Sequence, residues 1–474
     1  MRVAGHSAPV TEALLDQVVQ QTHEFLGALD GGRVGTRVTA EELRRQLDAP
    51  LPEQSQDPAV VIGDLIRAAQ PGLTLMSSGR YFGFVIGGSL PVALAADWLT
   101  SAWDQNAGLF APTPAASVVE EVVGAWLKEI LGLPPHASFA LVTGGQMANF
   151  TALAAGRHHV LAAVGWNVER QGLIGAPRLR VIAGVKRHAT IDRALRYLGL
   201  GTDCVEAVDT DDQGRMLPAA LARVLGEERQ PAIVCAQAGE VNTGAVDDLQ
   251  AICTIAHRAD AWVHVDGAFG LWAAASARYR HLVMGAELAD SWATDCHKWL
   301  NVPYDCGVAL CAHPESHRAA MTVHAEYLIQ SPAGGPRDPV DWNPEFSRRA
   351  RAFTVYAALR TLGRSGVADL VERCCGRAWQ FAESLRTVPG VEVLNDVVLN
   401  QVLVRFTRGG QDDEDDDAYT LAVIAHVQDS GVCWMGGTTW DGRAAMRISV
   451  SNWRTTEDDV DRSVAAVTDA VHSC

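Results

Sequence analysis

The stretch Ser291-Trp-Ala-Thr-Asp-Cys-His-Lys-Trp-Leu300 leads from an apolar run into His297-Lys298-Trp299. A lysine between an imidazole and an indole, just past a strand, is oddly placed for a solvated surface lysine. An amine held among apolar groups gives up its proton more readily, and a neutral amine attacks aldehydes. The plainer alternative is a strand-end lysine whose stem lies on apolar surface while its head reaches water. Upstream, Trp262-Val-His-Val-Asp-Gly-Ala268 carries Asp266 at the end of an apolar strand. Such a carboxylate is either a helix cap or the partner of a buried cation, because an unpaired buried charge is expensive. Earlier still, Ala140-Leu-Val-Thr-Gly-Gly-Gln146 runs from a strand through two glycines into a helix beginning near Met147. The N–H groups and positive potential of a helix start suit a phosphate. The chain has neither GxGxxG nor GxxxxGK[ST], which counts against dinucleotide and nucleoside-triphosphate binding.

One cofactor needs all of these parts. Pyridoxal phosphate requires a lysine for its aldehyde, an acid to keep its ring nitrogen protonated, and a cradle for its phosphate. Its flat ring also needs cover. His188, in Lys186-Arg-His-Ala-Thr190, follows the apolar run Leu179–Val185 and could supply it. Alone, His188 reads as a loop or cap residue; the order glycine turn, His188, Asp266, Lys298 gives it weight.

These residues must be positioned by a framework, and the pattern names one. From Trp98 to Val308, apolar β-rich runs alternate with helical ones. The runs Phe139–Val142, Leu179–Val185, Ala232–Ala236, Trp262–Val265, Ser291–Ala293 and Gly307–Leu310 are mostly apolar throughout, as strands covered on both faces are. Helical segments at Met147–Leu161, Thr190–Leu198 and Asp247–Arg258 lie between several of them. The expectation is an α/β fold with a mostly parallel central sheet. Before it, residues 1–80 read as a helical arm. Thr11 to Leu29 has helical spacing, and Gly35 to Gly72 is broken by Pro50, Pro52, Pro58 and Pro71. Such an arm needs burial against a partner. The large domain is expected over 81–352. A smaller α+β domain is expected over 353–474, with helix at Phe353–Leu362 and Val367–Thr387 and strands at Val391–Leu394, Gln401–Phe406 and Met446–Val450. The acidic run Asp412–Asp417 reads as a solvated loop.

Composition narrows the partners. The 474 residues carry 39 basic and 56 acidic side chains, a net charge of −17. That balance disfavours nucleic acid and anionic membrane surfaces. No apolar run is long enough to span a bilayer, and the first residues lack a signal-peptide pattern. Ten scattered cysteines, without paired CxxC spacing, point to free thiols in a cytoplasmic protein and to no metal site.

The motifs resemble those of the group II decarboxylases, fold-type-I pyridoxal phosphate enzymes that act on aromatic amino acids, glutamate and diaminobutyrate. The resemblance runs from about Ser77 to Trp453. It is carried best by His264-Val-Asp-Gly-Ala268, by His297-Lys-Trp-Leu-Asn-Val-Pro-Tyr-Asp-Cys306 and by Gly239-Glu-Val-Asn-Thr-Gly-Ala245. It implies that Lys298 forms the internal aldimine and Asp266 pairs with the pyridine nitrogen. His188 then stacks on the ring and Ala268 packs its other face. Thr143, Gly145, Gln146 and His297 surround the phosphate, with Asn149 nearby. Arg447, in Arg447-Ile-Ser-Val-Ser-Asn452, matches an arginine that can hold a substrate carboxylate. The resemblance also implies a homodimer with sites at the interface. Tyr81 and Phe82 match a substrate-facing stretch, and Asn106 to Phe110 one that reaches in from the neighbouring chain.

Two departures qualify the expected decarboxylation of an L-amino acid. Many relatives return a proton to Cα from a lid tyrosine supplied by the second subunit. The matching stretch, Leu328 to Val355, has no tyrosine, and Pro339 falls near its position. The segment Ser331-Pro-Ala-Gly-Gly-Pro336 still suits a lid, with Tyr327 or His324 as substitutes. In addition, Glu240 stands where some relatives have threonine near the cofactor. An oxidative, aldehyde-forming decarboxylase is therefore the second reading, with transamination and Cα–Cβ lysis open on the same site. A non-catalytic α/β scaffold or nucleotide-binding module is the rival from another class.

Overall fold

The computed structural model describes residues 8–227, 229–325, 328–332, 334–409 and 413–474. Seven strands form one sheet: β1 (Ser138–Val142), β2 (Arg180–Gly184), β3 (Val205–Val208), β4 (Ala232–Gln237), β5 (Trp262–Asp266), β6 (Ser291–Asp295) and β7 (Gly307–Cys311). Their order is β1-β7-β6-β5-β4-β2-β3. Strands β6, β5, β4, β2 and β3 run parallel, and β7 runs antiparallel to both β1 and β6. Every residue of β1, β4, β5, β6 and β7 is buried, which is why their sequences read as apolar runs. The expected α/β architecture is the observed one. The pattern missed β3, whose Val-Glu-Ala-Val sits half-covered at the sheet edge.

The direction of the strands fixes the site. Because β1 and β6 both oppose β7, strands β1, β2, β4, β5 and β6 all end at the same edge. Gly144, His188, Gln237, Asp266 and Lys298 follow or terminate them, and the carboxyl edge of such a sheet is where ligands bind. One glycine is needed for this closeness: a Cβ on Gly307 would lie 2.5 Å from the Gly144 Cα.

A second sheet comprises β8 (Val391–Val393), β9 (Gln401–Phe406), β10 (Gly436–Trp440) and β11 (Arg443–Ser449), antiparallel in the order β10-β11-β9-β8. The expected helical pair before it is observed within Ala352–Arg386, as two helices that meet at Gly363, where φ is 61°. The acidic run is corrected. Asp412 lies outside the described residues, but Asp413 opens a helix reaching Ser430. Asp416 accepts the Arg408 N–H at 3.0 Å, and Asp417 accepts the Ala444 N–H at 2.9 Å and pairs with Arg405. Carboxylates in a first helical turn meet free N–H groups and the positive end of the dipole, which offsets their repulsion.

Asn301 ties the pieces to the site. It holds a left-handed conformation, φ 55°, just beyond Lys298. Its side chain accepts N–H groups of Gly88 and Trp453 and donates to the Trp299 and Ser451 carbonyls. Among the described residues, no helix is long and apolar enough to cross a membrane.

Candidate active site

A cavity of about 360 Å³ opens at the carboxyl edge of the large sheet. Gly144, Gly145, Gln146, Asn149, His188, Asp266, Ala268, His297, Lys298 and Arg447 all line it. Most of the residues singled out in the sequence, scattered over some 300 positions, thus meet at one place.

At its floor, Lys298 Nζ lies 3.1 Å from Asp295 Oδ2. The two glycines lie flat on this floor. A Cβ on Gly145 would sit 2.8 Å from Asp295 Oδ2, and one on Gly144 would sit 3.0 Å from His297 Cε1. The Cys306 N–H donates to His297 Nδ1 at 3.1 Å, so a neutral His297 carries its proton on Nε2. That nitrogen lies 3.5 Å from Asp295 Oδ1. Burial pushes the His297 pKa down, with the Asp295 charge acting against it.

Asp266 ends β5 with its Oδ2 accepting from Asn149 Nδ2 at 3.1 Å and its Oδ1 from the Ala268 N–H at 3.3 Å. Asn149, one helical turn beyond the glycines, thus sits against this carboxylate. His188 caps the helix Ala189–Tyr197 through Nδ1, which accepts the Thr190 N–H at 3.2 Å. Burial lowers its pKa, opposed by Asp266 and reinforced by Lys298 and Arg447. Both sequence readings of His188, cap and cavity wall, are therefore realised. Arg447 faces Glu240; burial lowers the arginine's pKa and the carboxylate opposes the shift. Glu240 itself folds the turn after β4 by accepting the N–H groups of Asn242 and Thr243, at 2.6 and 2.8 Å. Burial raises its pKa against those hydrogen bonds.

Other expected residues lie elsewhere. Thr143 precedes the turn without lining the cavity. Phe82 is fully buried, edge-on to Phe381 at 4.9 Å in the core, so it does not face a substrate. Tyr81 is buried and stacks on Trp434 at 5.1 Å. Three and four residues after Tyr81, the exposed Phe84 and the buried Val85 line the cavity, at φ 55° each. Left-handed backbone is strained for a β-branched residue and turns this loop inward. Asn106 accepts the Arg348 N–H at 3.0 Å, and the Phe110 N–H donates to Asp338 at 2.7 Å; neither lines this chain's cavity. Tyr327 is outside the described residues, and His324 bonds Gln330 at 2.9 Å.

Sequence reasoning missed Asp295 and Gln237. The signal that found Asp266, an acid closing an apolar strand, also marks Asp295 at the end of β6. Gln237 pairs with Asp266 across β4 and β5, and its Oε1 accepts the His188 N–H at 3.1 Å.

The donor set fits pyridoxal phosphate. A reachable amine lies beside a carboxylate-ended strand, and a glycine turn opens a helix against the same carboxylate. Gln146 Oε1 there is buried with no partner among the described residues. The comparisons agree. The family model of the pyridoxal-dependent decarboxylase conserved domain matches residues 40–407. L-2,4-diaminobutyrate decarboxylase of Rhizobium meliloti (strain 1021) is 30% identical over 463 residues, covering 96% of this chain and 89% of that one. Phenylacetaldehyde synthase of a Rosa hybrid cultivar is 24% identical over 440 residues, 90% of this chain and 86% of the other. Among solved structures, Oryza sativa TDC with PLP and tryptamine superposes with a TM-score of 0.93 at 23% identity, covering 100% of this chain and 99% of that one.

Proposed function

Because the chain belongs to the family of pyridoxal-dependent decarboxylases, with pyridoxal 5'-phosphate as cofactor, we propose that it removes CO2 from an L-amino acid and releases the amine. The observation that carries this reading is the convergence of Lys298, Asp266, His188 and the Gly144-Gly145 turn on one cavity. Bound there, the cofactor supplies an electron sink for the pair left behind by CO2.

The protein's own residues have distinct tasks. Lys298 Nζ anchors the cofactor aldehyde. Asp266 would pair with the ring nitrogen and keep it protonated, an electrostatic aid placed before the reaction starts. His188 and Ala268 would bracket the ring, and Gly145, Gln146 and His297, which line the cavity, would hold the phosphate end. Arg447, on the cavity wall, would hold the substrate carboxylate and orient it for loss of CO2. Phe84 and Val85 give the cavity an apolar wall that favours an aromatic or apolar side chain. Lys298 or His188 returns the proton to Cα.

A second reading, aldehyde formation with oxygen consumed, is favoured by one observation. The stretch Leu328 to Val355 offers no tyrosine to return that proton. The protein works as a homodimer in this proposal, with the 1–80 arm exchanged and Asn106 and Phe110 reaching the partner's cavity. Exposed Leu15, Val60, Leu65, Trp98 and Trp103 supply apolar surface for it. Ten free cysteines suit the reducing cytoplasm.

An L-amino-acid panel, followed by mass spectrometry for amine, aldehyde, peroxide and CO2, tests the reading. Amine with equal CO2 is expected, and Lys298→Ala abolishes borohydride-trapped cofactor. Trapping that survives in Lys298→Ala, or a panel without CO2 release, overturns it. Sedimentation of the full chain as a monomer removes the dimer.

A further inference from the structure

Behind the cavity runs a hydrogen-bond chain in which each donor is determined by its neighbour. It starts at His188. The Thr190 N–H lies 3.2 Å from His188 Nδ1, a long contact that favours an unprotonated nitrogen without fixing it alone. The Thr190 hydroxyl, 2.8 Å from the same nitrogen, donates to it as well. Having spent its hydrogen, Thr190 Oγ1 can only accept, and its donor is Asn149 Nδ2 at 3.0 Å. The same amide nitrogen donates to Asp266 Oδ2 at 3.1 Å. The Asn149 carbonyl oxygen must then accept, and His264 Nε2 donates to it at 2.9 Å. His264 Nδ1 is left to accept from Ser291 Oγ at 3.0 Å, and Ser291 Oγ accepts from Trp262 Nε1 at 2.9 Å. Asn149, His264, Ser291 and Trp262 are all buried. A buried polar network with every partner matched is rigid, and a flipped amide would leave several groups unsatisfied.

We infer that Asn149, keyed from behind by His264, is a positioning residue that presents Asp266 to the cofactor as a pure acceptor and locks the His188 proton on Nε2, facing the cavity. This rests on the roles of Asp266 and His188 proposed above. Asn149 touches neither reacting atom; it acts through those two side chains. Its titratable neighbours are Asp266, His264 and His188, with Lys298, Arg447 and Asp295 beyond them on the cavity wall. His264 is held near pKa 4 by burial, so it remains neutral above about pH 6.

The test uses the full-length protein and two variants. Asn149→Asp is isosteric but cannot donate when ionised. Its pyridoxal phosphate dissociation constant should rise about 10-fold or more at pH 8 and recover by pH 6, where a shared proton restores the donor. A purely structural role would not produce that recovery. Selective 15N-histidine spectra, assigned with His188→Gln, should show the Nε2–H form of His188 in wild type and mixed tautomers in Asn149→Asp. His264→Gln, further from the cavity, should mix the tautomers too and covers the case in which Asn149→Asp does not fold. Affinity within about 2-fold of wild type at pH 8, equal losses at pH 6 and pH 8, or an unchanged His188 tautomer in the folded variants overturns the inference. Wild-type protein that binds no pyridoxal phosphate removes the functional reading instead, and the tautomer spectra still decide this one.

Discussion

Asp295 Oδ2 and Lys298 Nζ stand 3.1 Å apart, three residues apart in the chain, with the carboxylate buried beneath the amine. The end of β6 sets Asp295, and the turn that follows brings the lysine back over it. Asp295 is thus the counter-charge that fixes where the Lys298 amine waits. Replacing it by asparagine keeps the shape and removes the charge. Asp295→Asn should lower kcat/KM by about 10- to 100-fold while borohydride still traps the cofactor on Lys298. Unchanged kcat/KM would show that the pair has no part in the reaction.

Phe82 and Phe84 have opposite surroundings. Phe82 is buried against Phe381, while Phe84 is exposed, lines the cavity and is stacked on Trp434 at 5.5 Å. Phe82→Ala should lower the unfolding free energy by about 3–5 kcal/mol, the usual range for an emptied aromatic site. Phe84→Ala should leave the unfolding midpoint nearly unchanged and raise KM for bulky side chains about 10-fold. Urea titration and substrate kinetics separate the two.

Glu120 and Arg348 form a fully buried pair at 2.8 Å. Arg348 also donates to the Ala107 and Leu141 carbonyls, at 2.7 and 2.5 Å, tying the 106–110 segment to β1. Breaking one side of such a pair leaves an uncompensated charge. Glu120→Gln should destabilise the protein by about 3–5 kcal/mol, read by chemical denaturation.

Stability should fall on mild acidification. Burial pushes His264 down to about 4 and His317 to about 3, from 6.5 in the unfolded chain. With the folded pKa below the unfolded one, the unfolded state binds more protons as pH drops. The stability these neutral rings retain is therefore complete above about 6.5 and lost as pH falls from there toward 4 and 3. By linkage the shift is worth roughly 3 kcal/mol at His264 and roughly 5 kcal/mol at His317, each across its whole window. His317 bonds Ser138 at 2.8 Å and the Trp342 carbonyl at 2.9 Å, away from the cavity. Urea midpoints of His317→Gln should depend less steeply on pH between 7 and 5 than those of the parent. Equal slopes would mean that His317 does not carry this linkage.

The linear pattern alone carried six of the seven strands, the cofactor chemistry and most of the residues that line the cavity. Buried strands must be apolar along their whole length, and a lysine, an acid and a glycine turn at strand ends are local features that a linear pattern records. It recorded less where position depends on packing. Tyr81-Phe82-Gly83-Phe84-Val85 presents aromatics throughout, and only two consecutive left-handed residues decided that Phe84 and Val85 face the cavity while Phe82 enters the core. The resemblance implies a place near the phosphate for Asn149. Only the fold, by laying the helix Gly145–Ala162 across β5, set its amide between Thr190 and Asp266. Asp295 and Lys298 are near in sequence, yet their contact exists because β6 ends where it does. Side-chain direction and cross-strand neighbours are products of the tertiary structure, and no periodicity in the chain encodes them.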